Sequence, residues 1–150
     1  MYGSAVNTMA GSLGMNGIVH TRGLRHVALR VRDLGRAKAF YVGVFGMQTV
    51  WEPDAENCYL SSGCDNLALH VAPALRPTTE GADALDHIGF IVTSPDAVWE
   101  AAAALRQRHI NIIKEPQHHR DGSCSLYCAD PDGNVVQILY EPSISPLTFQ

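Results

Sequence analysis

The chain has little charge and no excess of the sign that would mark a polyanion-binding surface. Of its 150 residues only 17% are Asp, Glu, Lys or Arg, the net charge is -4 and the pI is about 5.9. A basic footprint for nucleic acid or an anionic membrane is therefore lacking. No apolar run approaches the roughly 20 residues needed to cross a bilayer. The first residues lack the basic start and apolar block of a secretory signal, so the expectation is a soluble, cytoplasmic protein. Cysteine is sparse: Cys58, Cys64, Cys124 and Cys128 are all there is. Cys124 and Cys128 look like part of a metal motif until they are set on a strand. Four residues at about 3.3 Å each then put their backbones roughly 13 Å apart, too far for one zinc ion or one disulfide. Reduced cysteines packed as small hydrophobes are expected instead.

A hydrophobic content of 46% over this length suits one domain with a real core. Residues 1–22 are rich in Gly, Ser, Met and Asn without sustained periodicity and read as a flexible arm. Residues 142–150 carry Pro142 and Pro146 and read as a tail. The span between them, 23–141, reads as a single domain built on an internal repeat.

Leu24-Arg-His26-Val-Ala-Leu-Arg-Val-Arg-Asp-Leu34 lines up with Leu85-Asp-His87-Ile-Gly-Phe-Ile-Val-Thr-Ser-Pro95. Each copy opens a module, at 24–72 and 84–141. In the first, Asp33 is set to cap a helix over Leu34–Val44, with Ala37, Phe40, Tyr41 and Val44 at helical spacing. In the second, Ser94-Pro95 starts a helix over Asp96–His109, with Val98, Ala101, Ala102 and Leu105 on one stripe. Strands are expected at Gln48–Glu52, Asn57–Ser61 and Leu67–Val71, then at Asn111–Lys114, Ser123–Ala129 and Val135–Tyr140. The order is βαβββ twice, an α+β architecture of two tandem modules.

HVALRVRDLGRAKAFYVGVFGM (from His26), LDHIGFIV (from Leu85) and DPDGNVVQILYE (from Asp130) resemble the vicinal oxygen chelate superfamily. That group includes glyoxalase I, fosfomycin-resistance transferases, methylmalonyl-CoA epimerase, extradiol dioxygenases and bleomycin-resistance binding proteins. The resemblance covers roughly residues 24 to 141. It implies a curved, cup-like mixed sheet with a divalent metal (zinc, nickel, manganese or iron) on its inner face, and a homodimer. The implied ligands are His26 and His87 from the opening strands, His70 from LALHV, and Gln137 where relatives usually have Glu.

The residues themselves bear on each position. An isolated His on an apolar strand reads equally as a packed imidazole with one hydrogen bond. Two at repeat-related positions, each beside a small residue (Ala28, Gly89), point toward ligands. Counted back from its turn, His70 falls one residue off the spacing shown by Gln137, and such a slip would turn it to the other face. Gln137 is either a ligand through its amide oxygen or an internally hydrogen-bonded core residue. Unlike Glu it brings no charge, so His26, His70, His87 and Gln137 would form an entirely neutral donor set. Weak metal retention or an anionic substrate would follow. Glu141 lies four residues on and reaches the site only if the strand continues inward.

The expected chemistry is that of a metal-dependent lyase or isomerase of glyoxalase type, acting on a small oxygenated substrate chelated by the metal. Gln137 cannot move a proton, so His70 is the catalytic candidate. Extradiol cleavage lacks its carboxylate ligand. Arg30 and His118-His119-Arg120 offer cations for an anionic group, or form a solvated loop. The alternative is a metal-free small-molecule binding protein of bleomycin-resistance type, with Trp51, Tyr59, Trp99 and Tyr127 on the walls unless they are core.

Overall fold

A computed structural model describes residues 24–72 and 85–147. The expected arm at 1–22 lies outside the described residues, as do residues 73–84 and 148–150.

Each module is one helix on one four-stranded sheet. The first comprises β1 (His26–Val31), α1 (Leu34–Phe45), β2 (Gln48–Asp54), β3 (Asn57–Ser61) and β4 (Asn66–Val71). The second comprises β5 (Ile88–Ile91), α2 (Pro95–Gln107), β6 (Ile112–His118), β7 (Cys124–Ala129) and β8 (Val135–Tyr140). Strand orders are β1-β4-β3-β2 and β5-β8-β7-β6. In each, the opening strand pairs parallel with the closing one and the remaining ladders are antiparallel. The architecture is α+β as expected, but the cup is not one continuous sheet: two mixed sheets, separately hydrogen-bonded, are left unclosed.

Local chemistry explains the helix ends. Asp33 sits in extended conformation and its carboxylate accepts from the Arg36 N–H at 2.9 Å. The Ser94 hydroxyl does the same for the Ala97 N–H at 3.2 Å. Each satisfies one of the donors that a helix start leaves free. Gly46, at φ 67, ends α1 in the left-handed conformation that glycine adopts without strain.

Alternation then sorts the sheet faces. Leu29, Val31, Cys58, Leu60, Leu67 and Leu69 are buried toward α1, against Ala37 and Tyr41. Cys124, Leu126, Cys128, Val136 and Ile138 are buried toward α2, against Val98, Ala102 and Leu105. Fully burying one such Leu or Val side chain stabilises by about 1.5–3 kcal/mol. Three of the four free cysteines are core residues as expected, whereas Cys64 is exposed in the β3–β4 turn.

The two motifs that mark the chain most strongly meet each other. The Tyr41 hydroxyl on α1 donates to Asp130 Oδ2 at 2.9 Å, with both residues buried. Asp130 Oδ1 also accepts from the N–H groups of Asp132 and Asn134, and Oδ2 from the Asn134 amide at 2.7 Å. Asp132 in turn accepts from the Arg32 N–H at 3.0 Å. DPDGN is thus a turn whose first carboxylate holds both its own backbone and the opposite module. Phe45 stacks on Phe90 at 4.0 Å between ring centres, extending the same junction.

Candidate metal centre

The face of each sheet away from its helix carries the candidate ligands. On the first sheet, Cα registration pairs His26 with Asn66 and Arg30 with His70 across the parallel β1–β4 ladder. Paired residues share a face, so His26, Ala28, Arg30, Asn66, Ala68 and His70 all lie on the open side. The offset counted from the turn leaves the side of His70 open; the two turns differ in length, and the register puts His70 on the same face as His26.

Both imidazoles on this face are oriented by amides. His26 Nδ1 lies 2.7 Å from Asn66 Oδ1, and His70 Nδ1 lies 2.6 Å from Asn57 Oδ1. An amide oxygen only accepts, so each ring donates its Nδ1 proton and carries its lone pair on Nε2. The Asn57 amide is fixed in turn, because its Nδ2 donates to Asp54 Oδ1 at 2.8 Å. The Glu56 N–H and this Asn57 amide hold the Asp54 carboxyl below its usual range. Tyr59 stands edge-on to His70, with ring centres 5.7 Å apart.

The second sheet repeats the arrangement with different chemistry. His87 falls one residue before β5, on the backbone that leads into it. Its Nδ1 lies 2.5 Å from Asp86 Oδ2, so it too donates Nδ1–H, and no partner of its Nε2 is seen among the described residues. Gln137 pairs in register with Gly89 on β5 and with Tyr127 on β7. Its Nε2 donates to the Tyr127 hydroxyl at 2.9 Å. That bond uses the donor end of the amide and leaves Oε1 on the β5 side, where a Cβ on Gly89 would lie 3.5 Å away. Gln137 is only 9% exposed, so it is both an internally bonded residue and one with its oxygen held ready. The His87 and Tyr127 rings meet edge-to-face at 5.3 Å. Lys114 Nζ sits 4.9 Å from the centre of the Tyr127 ring, a cation on the same wall that sequence reasoning missed.

Other expected groups fall elsewhere. The Glu141 carboxylate turns back to the Ser143 N–H and hydroxyl, because the strand ends at Tyr140, so it does not stand in for a ligand. His119 Nε2 lies 2.9 Å from the Ser125 hydroxyl, and His118 rests near Trp99. Trp51 and Trp99, expected mainly as core, are 59% and 48% exposed. The cleft of about 400 Å³ between the modules, lined by Val44, Phe45, Phe90 and Leu105 among others, includes none of the four candidate ligands.

The candidate ligands are distributed over two sheets. Among the described residues no three His, Cys, Asp or Glu side chains gather closely enough to hold a metal. His26 and His70 share a face of the first sheet, but His70 pairs with Arg30, four residues along β1 from His26 and so roughly 13 Å away along the strand. That spacing does not make them a ligand pair. His87 and Gln137 are brought together on the second sheet, where both meet Tyr127. Three imidazoles with Nδ1 engaged and the lone pair on Nε2, plus an oriented amide oxygen, suit a borderline divalent cation such as zinc, nickel or iron. The donor chemistry fits; within one chain the gathering does not.

Comparison with known proteins agrees with this architecture. Residues 23–138 match the model of the Glyoxalase/Bleomycin resistance protein/Dioxygenase superfamily. The chain is similar to the lactoylglutathione lyase of Salmonella typhimurium, 29% identical over 122 residues, covering 77% of this chain and 90% of that protein. It superposes on the crystal structure of lactoylglutathione lyase from Agrobacterium tumefaciens with a TM-score of 0.68 at 25% identity, covering 83% of this chain and 97% of that one. A fosfomycin resistance protein from Listeria monocytogenes shares the fold, with a TM-score of 0.67 at 19% identity over 85% and 99% of the two chains.

Proposed function

Because the chain belongs to the glyoxalase/bleomycin resistance protein/dioxygenase superfamily, we propose that it is a metal-dependent lyase or isomerase of glyoxalase type. Its substrate would be a small oxygenated molecule offering two neighbouring oxygens. His26, His70, His87 and Gln137 are the residues that would hold a divalent cation. The observation that carries this reading is the shared orientation of the three histidines: every Nδ1 lies 2.5 to 2.7 Å from a side-chain oxygen, and no partner of any Nε2 is seen among the described residues.

A cation there would act as a Lewis acid, drawing electron density from a bound oxygen and acidifying the neighbouring C–H. The rest falls to the side chains. Gln137 contributes an oxygen and no titratable proton. His70 is the proton carrier we assign. One lone pair cannot hold a cation and receive a proton together, so His70 acts as a base only when its Nε2 is not a ligand. Arg30, in register with His70, and Lys114 over Tyr127 supply positive charge for an anionic substrate. Such a substrate would offset the neutral donor set.

Candidate ligands on two separate sheets are best gathered by a second copy, with the first sheet of one chain facing the second sheet of its partner in a homodimer. Mixing His26→Ala with His87→Ala chains tests this. In the paired arrangement, one of the two sites in a mixed dimer keeps every ligand and takes up metal, although neither parent does so at full strength. Mixtures no better than the parents would refute sites shared between chains. The separation of the candidate ligands also favours a second reading, a metal-free small-molecule binder of the bleomycin-resistance kind. Metal uptake decides between the two. With its three buried thiols unoxidised, the protein fits a reducing, cytoplasmic setting.

A further inference from the structure

The three histidines are oriented alike but not by the same chemistry. His26 and His70 donate to neutral amides, Asn66 and Asn57, whereas His87 donates to a carboxylate, Asp86. Asp86 directly precedes His87, in the stretch 85–87 that leads into β5 without being part of its ladder. Strand alternation would send neighbouring side chains to opposite faces. Free of the ladder, Asp86 folds back onto the imidazole. Its side chain remains 94% exposed, and that of His87 31%.

Resting on the metal-dependent reading above, we infer that Asp86 is a positioning residue that supplies, from behind His87, the negative charge that Gln137 withholds. A carboxylate accepting Nδ1–H increases electron density at Nε2 and strengthens it as a donor, which an amide acceptor does far less. The anionic character of the centre is thereby moved from the last strand of the second module to the residue before its first strand. An exposed Asp–His pair contributes little to folding stability, and no other hydrogen bond of Asp86 is seen among the described residues. Its principal effect is therefore on His87.

The test uses the full-length protein and zinc, titrated against a chromophoric chelator at fixed pH, with urea unfolding of the metal-free forms alongside. Asp86→Asn preserves shape and an acceptor while removing the charge. It is expected to weaken zinc binding by about 10–100-fold, the range for lost partners of metal-binding histidines, with the unfolding midpoint unchanged. Gln137→Glu restores charge directly at the site and should recover most of that loss in the double variant. Asp86→Glu should recover part of it. A merely structural Asp86 would not be rescued from β8. Zinc affinity of Asp86→Asn within about threefold of wild type, below the range expected of such partners, overturns the inference, as does an undiminished defect in the double variant. A wild-type chain that takes up no zinc overturns the metal-dependent reading itself.

Discussion

Replacing Tyr41 with Phe removes one oxygen atom and tests how the two modules are joined. The ring is fully buried and sits among Phe40, Phe45 and Phe90, with centres 5.1 to 6.3 Å away. Phe keeps those contacts, so no large cavity opens. What disappears is the 2.9 Å hydrogen bond to Asp130 Oδ2. Bonds to charged groups contribute about 1.5–3 kcal/mol when one partner is removed. Asp130 keeps the Asp132 and Asn134 N–H groups and the Asn134 amide as donors, so the loss belongs toward the lower half of that range, about 2 kcal/mol. At about 2–4 °C per kcal/mol for a chain of this size, the melting temperature should fall by about 4–8 °C. Urea denaturation should show a lower midpoint with an unchanged slope.

The pH dependence gives a second reading of the same bond. Burial first, then the charge of Asp130 and its hydrogen bond, push the Tyr41 phenol well above its ordinary value near 10. The native state therefore retains a proton that the unfolded chain releases. A raised native pKa means that stability is fully present below the unfolded value and declines as pH rises through it. Between pH ~9 and pH ~10.5 the wild-type advantage over Tyr41→Phe should shrink by about 0.8 kcal/mol. A Tyr41→Phe chain as stable as wild type at neutral pH, or a difference that does not narrow in alkali, would refute the junction described.

Gly89→Val would press a branched side chain against the Gln137 amide oxygen, already 3.5 Å from a bare Cβ at that position. Metal binding should fall by more than about tenfold, read by chelator competition, while far-UV circular dichroism stays that of wild type. Thiol titration of the native protein should give one fast-reacting cysteine, Cys64, because Cys58, Cys124 and Cys128 are buried. Burial pushes the Cys128 thiol up to about 11, so its thiolate is scarce at neutral pH. All four should react once urea has unfolded the chain, and rapid labelling of Cys128 before that would contradict its placement.

Much of the fold can be read in the residues because local signals and burial patterns agree. β3 and β8 begin and end where alternation and turns place them, at Asn57–Ser61 and Val135–Tyr140. β2 and β6 run further than expected. Both are edge strands with irregular register, and β6 continues through Pro116, which an edge tolerates because one side needs no ladder bond. The repeat identified His26 and His87, and the turn motif identified Gln137. The residues that orient them stayed hidden. Asn66 is 40 positions from His26, and Asn57 is 13 from His70. Only parallel and antiparallel registration, a long-range property, brings them opposite. Asp86 was hidden for the contrary reason, being so close that alternation argued against contact. The separation of the candidate ligands has no sequence signal at all, since the repeat says that modules match and not which faces meet.

Metal binding at His26, His70, His87 and Gln137 is the proposal on which the rest depends. The most direct measurement is elemental analysis of protein purified without chelators, followed by exposure to nickel, zinc, manganese and iron and repeat analysis. The account predicts uptake approaching about one metal per chain, lost in His87→Ala. Less than about a tenth of a metal per chain before and after exposure, or a His87→Ala protein that retains its metal, would contradict it.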